Sequence, residues 1–373
     1  MKYRSLSVII LFLTILFAVP LFSLATADRS VSEVERRPLA QSMSFQEYLS
    51  THPGAGLADY LSYLETCLLD QFPARDDWRE LNAVIRVFGL RQRDYKLYYR
   101  QEGHLGRLDP ILHDRAVDKA LSVFKQADTS YLYGNGKHCF ALIPDKNVFM
   151  ADSGGYPHYS YNSMLKLIEG GIDPRISLLP LLENLSLDDY YRTDPHWKQT
   201  ELLQVANRLL EALGSLYRVS GRDYRLKSLS PYLGTYAGQA ALPVEADTLS
   251  WFVNEELSGI RVLDLVTGEV SGIYREDRLE GADLYDLFMG GARPLLRLDN
   301  PAQANGRQLL VFRDSFGSSL IPLLTAAYSE ILVIDLRYIT MEAVSRLAVI
   351  NPDADVLHLY STSVLNSPGA FLG

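Results

Sequence analysis

The stretch Leu309-Leu310-Val311-Phe312, followed by Arg313-Asp314-Ser315-Phe316-Gly317, constrains this chain more than any other. A strand with no polar alternation has no face to give to water, so both of its faces must be covered. Gly317 allows a sharp turn. Ser318 to Tyr328 then reads as a helix with Leu320, Ile321, Leu323, Leu324 and Ala327 on its apolar side. Strand, turn and helix in that order predict an α/β fold. Its mainly parallel sheet would be flanked by helices, with Leu309–Phe312 central. Ser315 would stand in the turn at the carboxyl edge of the sheet, where open α/β folds bind ligands. Free backbone N–H groups and a helix N-terminus would face whatever binds there.

A serine hydroxyl becomes a nucleophile only beside a base, and an imidazole base needs a third group to fix its tautomer. Asp194-Pro195-His196-Trp197 supplies both partners. A carboxylate two residues from a histidine can reach its ring across a tight turn, and Pro195 fixes one backbone angle of that turn. Ser315, His196 and Asp194 are therefore the candidate catalytic residues. Asp-x-His and Asp-Ser are each common in solvated turns and at helix caps. Their combination in a chain with seven histidines carries the argument.

Seven segments in order resemble the DHHW proteins, within the wider set of SGNH-hydrolase-like and alginate O-acetyltransferase-like proteins. They are Asp70-Gln71-Phe72-Pro73-Ala74-Arg75-Asp76, Gly103-His104-Leu105, Leu142-Ile143-Pro144-Asp145-Lys146-Asn147-Val148, Asp194-Pro195-His196-Trp197, Leu284 to Gly291, Asp314-Ser315-Phe316-Gly317 and Ile334-Asp335-Leu336-Arg337-Tyr338. The second tetrad position, a histidine in the family's name, is Pro195 here. The resemblance implies an SGNH-hydrolase-like fold and a serine-dependent O-acetyltransferase or acetylesterase, with no cofactor and no metal. Ser315 would attack an acyl carbonyl, His196 would act as base and then acid, and Asp194 would orient His196. The Ser315 N–H would be one oxyanion donor. Arg337, Tyr338 and Asn366 are candidates for a second donor or a substrate contact. Trp197 is expected to pack beneath the site, with substrate contact as the alternative. The implied partners are a polysaccharide and a multi-spanning membrane acyltransferase that supplies acetyl groups. A non-catalytic glycan-binding or assembly protein with the same fold is the rival reading. A metal-dependent hydrolase would need Asp194, His196 and one of His104, His113, His138 or His158, and no His-x-x-His or Cys-x-x-Cys spacing supports it.

The formal charge of −9 and the lack of any basic run argue against nucleic acid. Lys2 and Arg4 precede an apolar run from Leu6 to Ala27, broken only by Ser, Thr and Pro20. It reads as a signal peptide ending at Ala25-Thr26-Ala27 or as a single-pass anchor. Either reading places the remainder outside the cytoplasm, secreted or tethered, with the N-terminus cytoplasmic. Residues 1–27 are not expected to pack into the main domain. Residues 28–43 read as a flexible stalk, and 44–373 as one SGNH-like α/β domain. Within it, residues 218–300 carry short strands, many tyrosines and turn glycines, and read as a β-rich insertion bearing substrate surface. Helices are expected over 45–70, 76–90, 116–126 and 197–213. Strands are expected over 95–99, 105–108, 139–143, 147–150, 331–334 and 356–359. Cys67 and Cys139 read as buried free thiols.

Overall fold

The computed structural model describes residues 12–14, 17, 26–131 and 134–371. Most of the apolar run, Leu11 included, lies outside the described residues; Leu13 and Phe17 are exposed. The chain forms two compact units, Met1–Tyr95 with Gly238–Pro243, and Lys96–Ala237 with Val244–Gly373.

The first unit contains strands β1 (Val31–Ser32) and β2 (Arg37–Pro38), paired antiparallel. Helices α1 (Phe45–Thr51), α2 (Leu57–Asp70) and α3 (Arg75–Val84) follow, and a π-helical turn (Ile85–Gly89) continues α3. The single helix expected over 45–70 is two, because Pro53 and Gly54, at φ +89°, interrupt it. The flexible stalk expected over 28–43 is instead a fixed hairpin. Glu35, in its turn, is buried and pairs with Arg75, with Arg79 at 2.9 Å and with Arg37 at 3.2 Å. Asp70 holds Arg37 at 2.5 Å and Arg75 at 3.4 Å. A buried carboxylate must find such partners, and they fix the hairpin.

The second unit is built on an eight-stranded sheet. Its strands are β5 (His138–Ile143), β6 (Ser177–Pro180), β9 (Arg261–Asp264), β10 (Val270–Gly272), β11 (Leu295–Asp299), β12 (Gln308–Arg313), β13 (Glu330–Ile334) and β14 (Asp355–Ser361), in the order β10-β9-β11-β13-β12-β14-β5-β6. The block β13-β12-β14-β5-β6 is parallel, and β11, β9 and β10 extend it antiparallel. Two hairpins stand apart, β3 (Tyr98–Gln101) with β4 (His104–Arg107) and β7 (Arg225–Tyr232) with β8 (Asp247–Val253). The insertion expected at 218–300 is thus only partly separate, since β9 to β11 belong to the main sheet.

β12 lies between β13 and β14, as its apolar sequence requires. Leu309 and Val311 enter a core with α7 (Leu203–Ala212) and α8 (Gly317–Leu324). Leu310 and Phe312 point to the opposite core, with α4 (Asp114–Tyr131), α6 (Tyr161–Gly171) and α9 (Met341–Leu347). Both faces are therefore covered. Residues 147–150, expected as a strand, begin helix α5 (Asn147–Gly154). The Asn147 N–H donates to Asp145 Oδ1 at 2.9 Å, an Asx turn that a short apolar run does not reveal. Cys67 and Cys139 are buried free thiols. Leu310→Ala should lower unfolding free energy by about 2–5 kcal/mol, measured by denaturant titration. A loss below about 1 kcal/mol would contradict its place in a closed core.

Candidate active site

The geometry begins at the end of β12. Asp314 is fully buried, and its Oδ2 accepts the Ser361 N–H at 2.8 Å and the Ser361 hydroxyl at 2.6 Å. Its Oδ1 accepts the Phe316 N–H at 3.0 Å. One carboxylate thus ties the turn after β12 to the end of β14. Ser315 stands in that turn, just before α8.

The second segment arrives as a loop. Trp197 to Leu213 was expected as one helix, but α7 begins at Leu203, after a short 3-10 turn at Gln199–Glu201. Tyr190 and Trp197 instead form an antiparallel bridge that closes a tight loop around Asp194 and His196. Lys146 fixes this loop from below. Its side chain is fully buried, and Nζ donates to the carbonyls of Asp194 at 2.8 Å and Tyr191 at 3.0 Å. Burial pushes the ammonium down to about 8 against the pull of Asp194, Asp145 and Asp247. Asp247 Oδ2 accepts the N–H and the hydroxyl of Thr193, at 2.8 and 2.6 Å. The Thr193 hydroxyl in turn accepts the Gly234 N–H at 2.8 Å.

These supports bring the three sequence-selected side chains together. Ser315 Oγ lies 2.7 Å from His196 Nε2, and His196 Nδ1 lies 2.5 Å from Asp194 Oδ1. Asp194 Oδ1 also accepts the His196 N–H at 3.1 Å, and Oδ2 accepts the Thr235 N–H at 2.8 Å. Burial opposes the Asp194 charge. The imidazole and the two backbone donors outweigh burial and hold the carboxyl below the ordinary carboxylate range. An ionised carboxylate can only accept, so Nδ1 carries the imidazole proton and Nε2 is left to receive the serine proton. Tyr285 stacks on the imidazole at 4.1 Å and an interplanar angle of 9°, and its hydroxyl donates to Ser319 at 2.8 Å. The Ser315 N–H has no acceptor among the described residues. Such an arrangement can take a proton from a hydroxyl, store it on an imidazole and return it to a leaving group.

The remaining candidates are occupied otherwise. Trp197 is buried, donates to the Phe316 carbonyl at 2.9 Å and packs edge-on against the Phe316 ring, so it lies under the site. Arg337 forks onto Asp335 at 2.8 and 2.6 Å. Tyr338 is exposed, with the Arg337 guanidinium over its ring. Asn366 is not available as an oxyanion donor, because its amide gives both hydrogens, to Asp109 at 3.0 Å and to the Ile111 carbonyl at 2.8 Å. It lines a cavity of about 230 Å³ beyond β5 and β14, together with Asp109, His113, Asp145, His158 and Tyr236. Among the described residues, no group of three or more His, Cys, Asp or Glu is placed to hold a metal ion. Ser153 bonds Glu102 at 2.6 Å, and His158 bonds Asp152 at 2.9 Å, so that serine has no imidazole partner. Residue reasoning missed the roles of Lys146, Asp247, Thr235 and Tyr285. Lys146 and Tyr285 lay inside quoted motifs, and that was their only signal.

The depressed Asp194 carboxyl stabilises the fold at pH values above the unfolded Asp value of about 3.9, and this contribution is lost as pH falls below it. Asp194→Asn should therefore show a shallower decline of stability than the wild type between about pH 4 and pH 2. Equal slopes in acid denaturation would refute the depression. A Cβ at Gly234 would overlap the Asp194 side chain. Gly234→Ala should cost about 1–3 kcal/mol and move the carboxylate from His196, seen as a lower melting temperature and a lost downfield imidazole proton resonance. An unchanged resonance would show that the loop yields without disturbing the pair.

No family model matches the chain, and no curated protein matches it by sequence. Solved structures match it in fold. A DHHW family protein from Eubacterium siraeum aligns with a TM-score of 0.54 at 19% identity, covering 73% of this chain and 92% of that one. Bacillus cereus PatB1 gives 0.57 at 17% identity, covering 74% and 99%. PatB1 with a sulfonyl adduct gives 0.56 at 15% identity, covering 73% and 98%. The chain has the fold of these proteins, the fold that the order of its motifs led us to expect.

Proposed function

We propose that this protein is an exported serine-dependent acyl-transfer enzyme, an O-acetyltransferase or acetylesterase that acts on a cell-surface or secreted polysaccharide. The observation that carries the proposal is the hydrogen-bonded chain from Ser315 through His196 to Asp194, at the carboxyl edge of the sheet. Ser315 Oγ attacks the acyl carbonyl as its proton passes to His196 Nε2. The Ser315 N–H receives the developing oxyanion. His196 returns the proton to the leaving oxygen, which leaves the acyl group on Ser315. A second hydroxyl, from sugar or water, then loses its proton to His196 and takes the acyl group, and His196 returns that proton to Ser315 Oγ as the acyl–serine bond breaks. Asp194 holds the ring and balances the imidazolium in both halves.

The acyl group and the sugar follow from the motif resemblance to DHHW proteins. The polar cavity supports them, because it shares the Gly234–Tyr236 segment with the site and offers hydroxyl-binding groups to a sugar ring. In this proposal a multi-spanning membrane acyltransferase supplies the acetyl groups, and the N-terminal apolar run exports or tethers the chain.

Ser315→Ala should abolish turnover of an acetylated nitrophenol, by about a million-fold where the wild type is measurable. His196→Ala should cost a similar factor, and Asp194→Ala somewhat less, because Asp194 orients and does not transfer the proton. Wild-type hydrolysis should be slow if the site favours a sugar acceptor over water. A folded wild type that neither hydrolyses acetyl esters nor transfers acetyl to any glycan would favour a non-catalytic glycan-binding protein. Full activity in Ser315→Ala would place the nucleophile elsewhere.

A further inference from the structure

The first unit displays apolar side chains where a soluble surface would not. On α2, Leu57, Leu61 and Leu68 recur at helical spacing on one face and are all exposed, Leu68 at 67%. On α3 and the π-helical turn that continues it, Trp78, Leu81, Ile85 and Phe88 form a second exposed stripe, and Leu90 extends it. Trp78 is 55% exposed and Phe88 50%. Scattered exposed leucines need no explanation, but rows of large apolar groups on two helices of one small unit mark a surface that something covers. The stripe on α3 ends among Arg86, Arg91 and Arg93, all exposed and with no acidic residue between them. That local cluster runs against the chain's overall charge of −9.

The chain itself indicates what covers the stripe. Its apolar run ends at Ala27. Two residues on, the Arg29 N–H donates to Gln71 Oε1 at 2.9 Å, and the Arg29 guanidinium bonds Asp76 at 3.2 Å. The Gln71 amide returns a bond to the Arg29 carbonyl at 3.0 Å. The exit of the apolar run is thus fixed to the joint between α2 and α3, and Trp78 lies two residues beyond Asp76, less than one helical turn away. Read as a single-pass anchor, the run lies in a bilayer. Its exit then lies at the interface, with the α3 stripe beside it. The apolar side of α3, with arginines beyond its end and Asp77 and Glu80 exposed on the helix itself, suits an element lying in the headgroup layer of a membrane.

We propose that α3 and its π-helical continuation lie on an anionic phospholipid bilayer, with Trp78, Leu81, Ile85 and Phe88 among the acyl chains. This contact belongs to the first unit and holds whether or not the site of the second unit transfers acyl groups. Trp78 is a built-in reporter, because the other two tryptophans, Trp197 and Trp251, are buried. The test uses the full chain, reconstituted into vesicles of phosphatidylglycerol and phosphatidylcholine with and without bromine on the acyl chains. Brominated lipid should quench part of the tryptophan emission. Trp78→Phe, an exposed and conservative change, should remove the whole lipid-dependent loss of emission. Emission insensitive to bromine would overturn the proposal, as would a loss that survives Trp78→Phe. Shielding of Trp78 from aqueous acrylamide without quenching by bromolipid would also overturn it, in favour of a second copy or the chain's own apolar run as the cover.

Discussion

A buried ammonium joins the site to the sheet. Lys146 leaves the end of β5 and donates to the carbonyls of Tyr191 and Asp194, which lie 45 and 48 residues further along the chain. A lysine so placed gives up its hydration, and the shift of its pKa down to about 8 records that loss. Three acidic neighbours, Asp194, Asp145 and Asp247, oppose the shift and keep the charge available at neutral pH. The loop therefore takes its shape from electrostatics, whereas β12 takes its position from apolar burial. Asp314 does for the serine what Lys146 does for the histidine, binding its own turn to the end of β14. Two oppositely charged buried groups thus register two loops against one parallel sheet.

The same contrast explains what could be read in the sequence. β12 was legible because four consecutive apolar residues alternate between two covered faces, a pattern that a half-exposed strand cannot show. Ser315, His196 and Asp194 were legible because their chemistry needs those residue types, and a turn brings two of them together. Lys146 was not legible, because its partners are backbone carbonyls, and carbonyls carry no residue identity. Glu35 escaped for a related reason. Its partners Arg75 and Arg79 lie about 40 residues away, so a short polar stretch read as a stalk when it is a hairpin closed by buried ion pairs. Tyr285 could be found only by fold, since stacking on an imidazole leaves no local pattern. Short apolar runs failed in the expected direction. Residues 147–150 suit a strand as well as a helix, and a side-chain cap two residues upstream decides between them.

The ionisation of Asp194 shows how narrow the electrostatic balance is. A carboxylate with no exposed surface would ordinarily protonate, and a protonated Asp194 would no longer require the imidazole proton to sit on Nδ1. Nδ1 could then be left bare, with the proton on Nε2 and the Ser315 hydroxyl without a base. Two backbone N–H groups and the imidazole prevent this. Because the N–H groups belong to His196 and Thr235, the charge depends on how closely the chain at 234–235 approaches, and hardly on which side chain stands at 235. Gly234 permits the approach, since a Cβ there would occupy the space of the carboxylate. The tautomer of the imidazole is thus set partly by a missing methyl group on a neighbouring stretch of chain, a dependence that substitution of Ser315, His196 and Asp194 alone would not uncover.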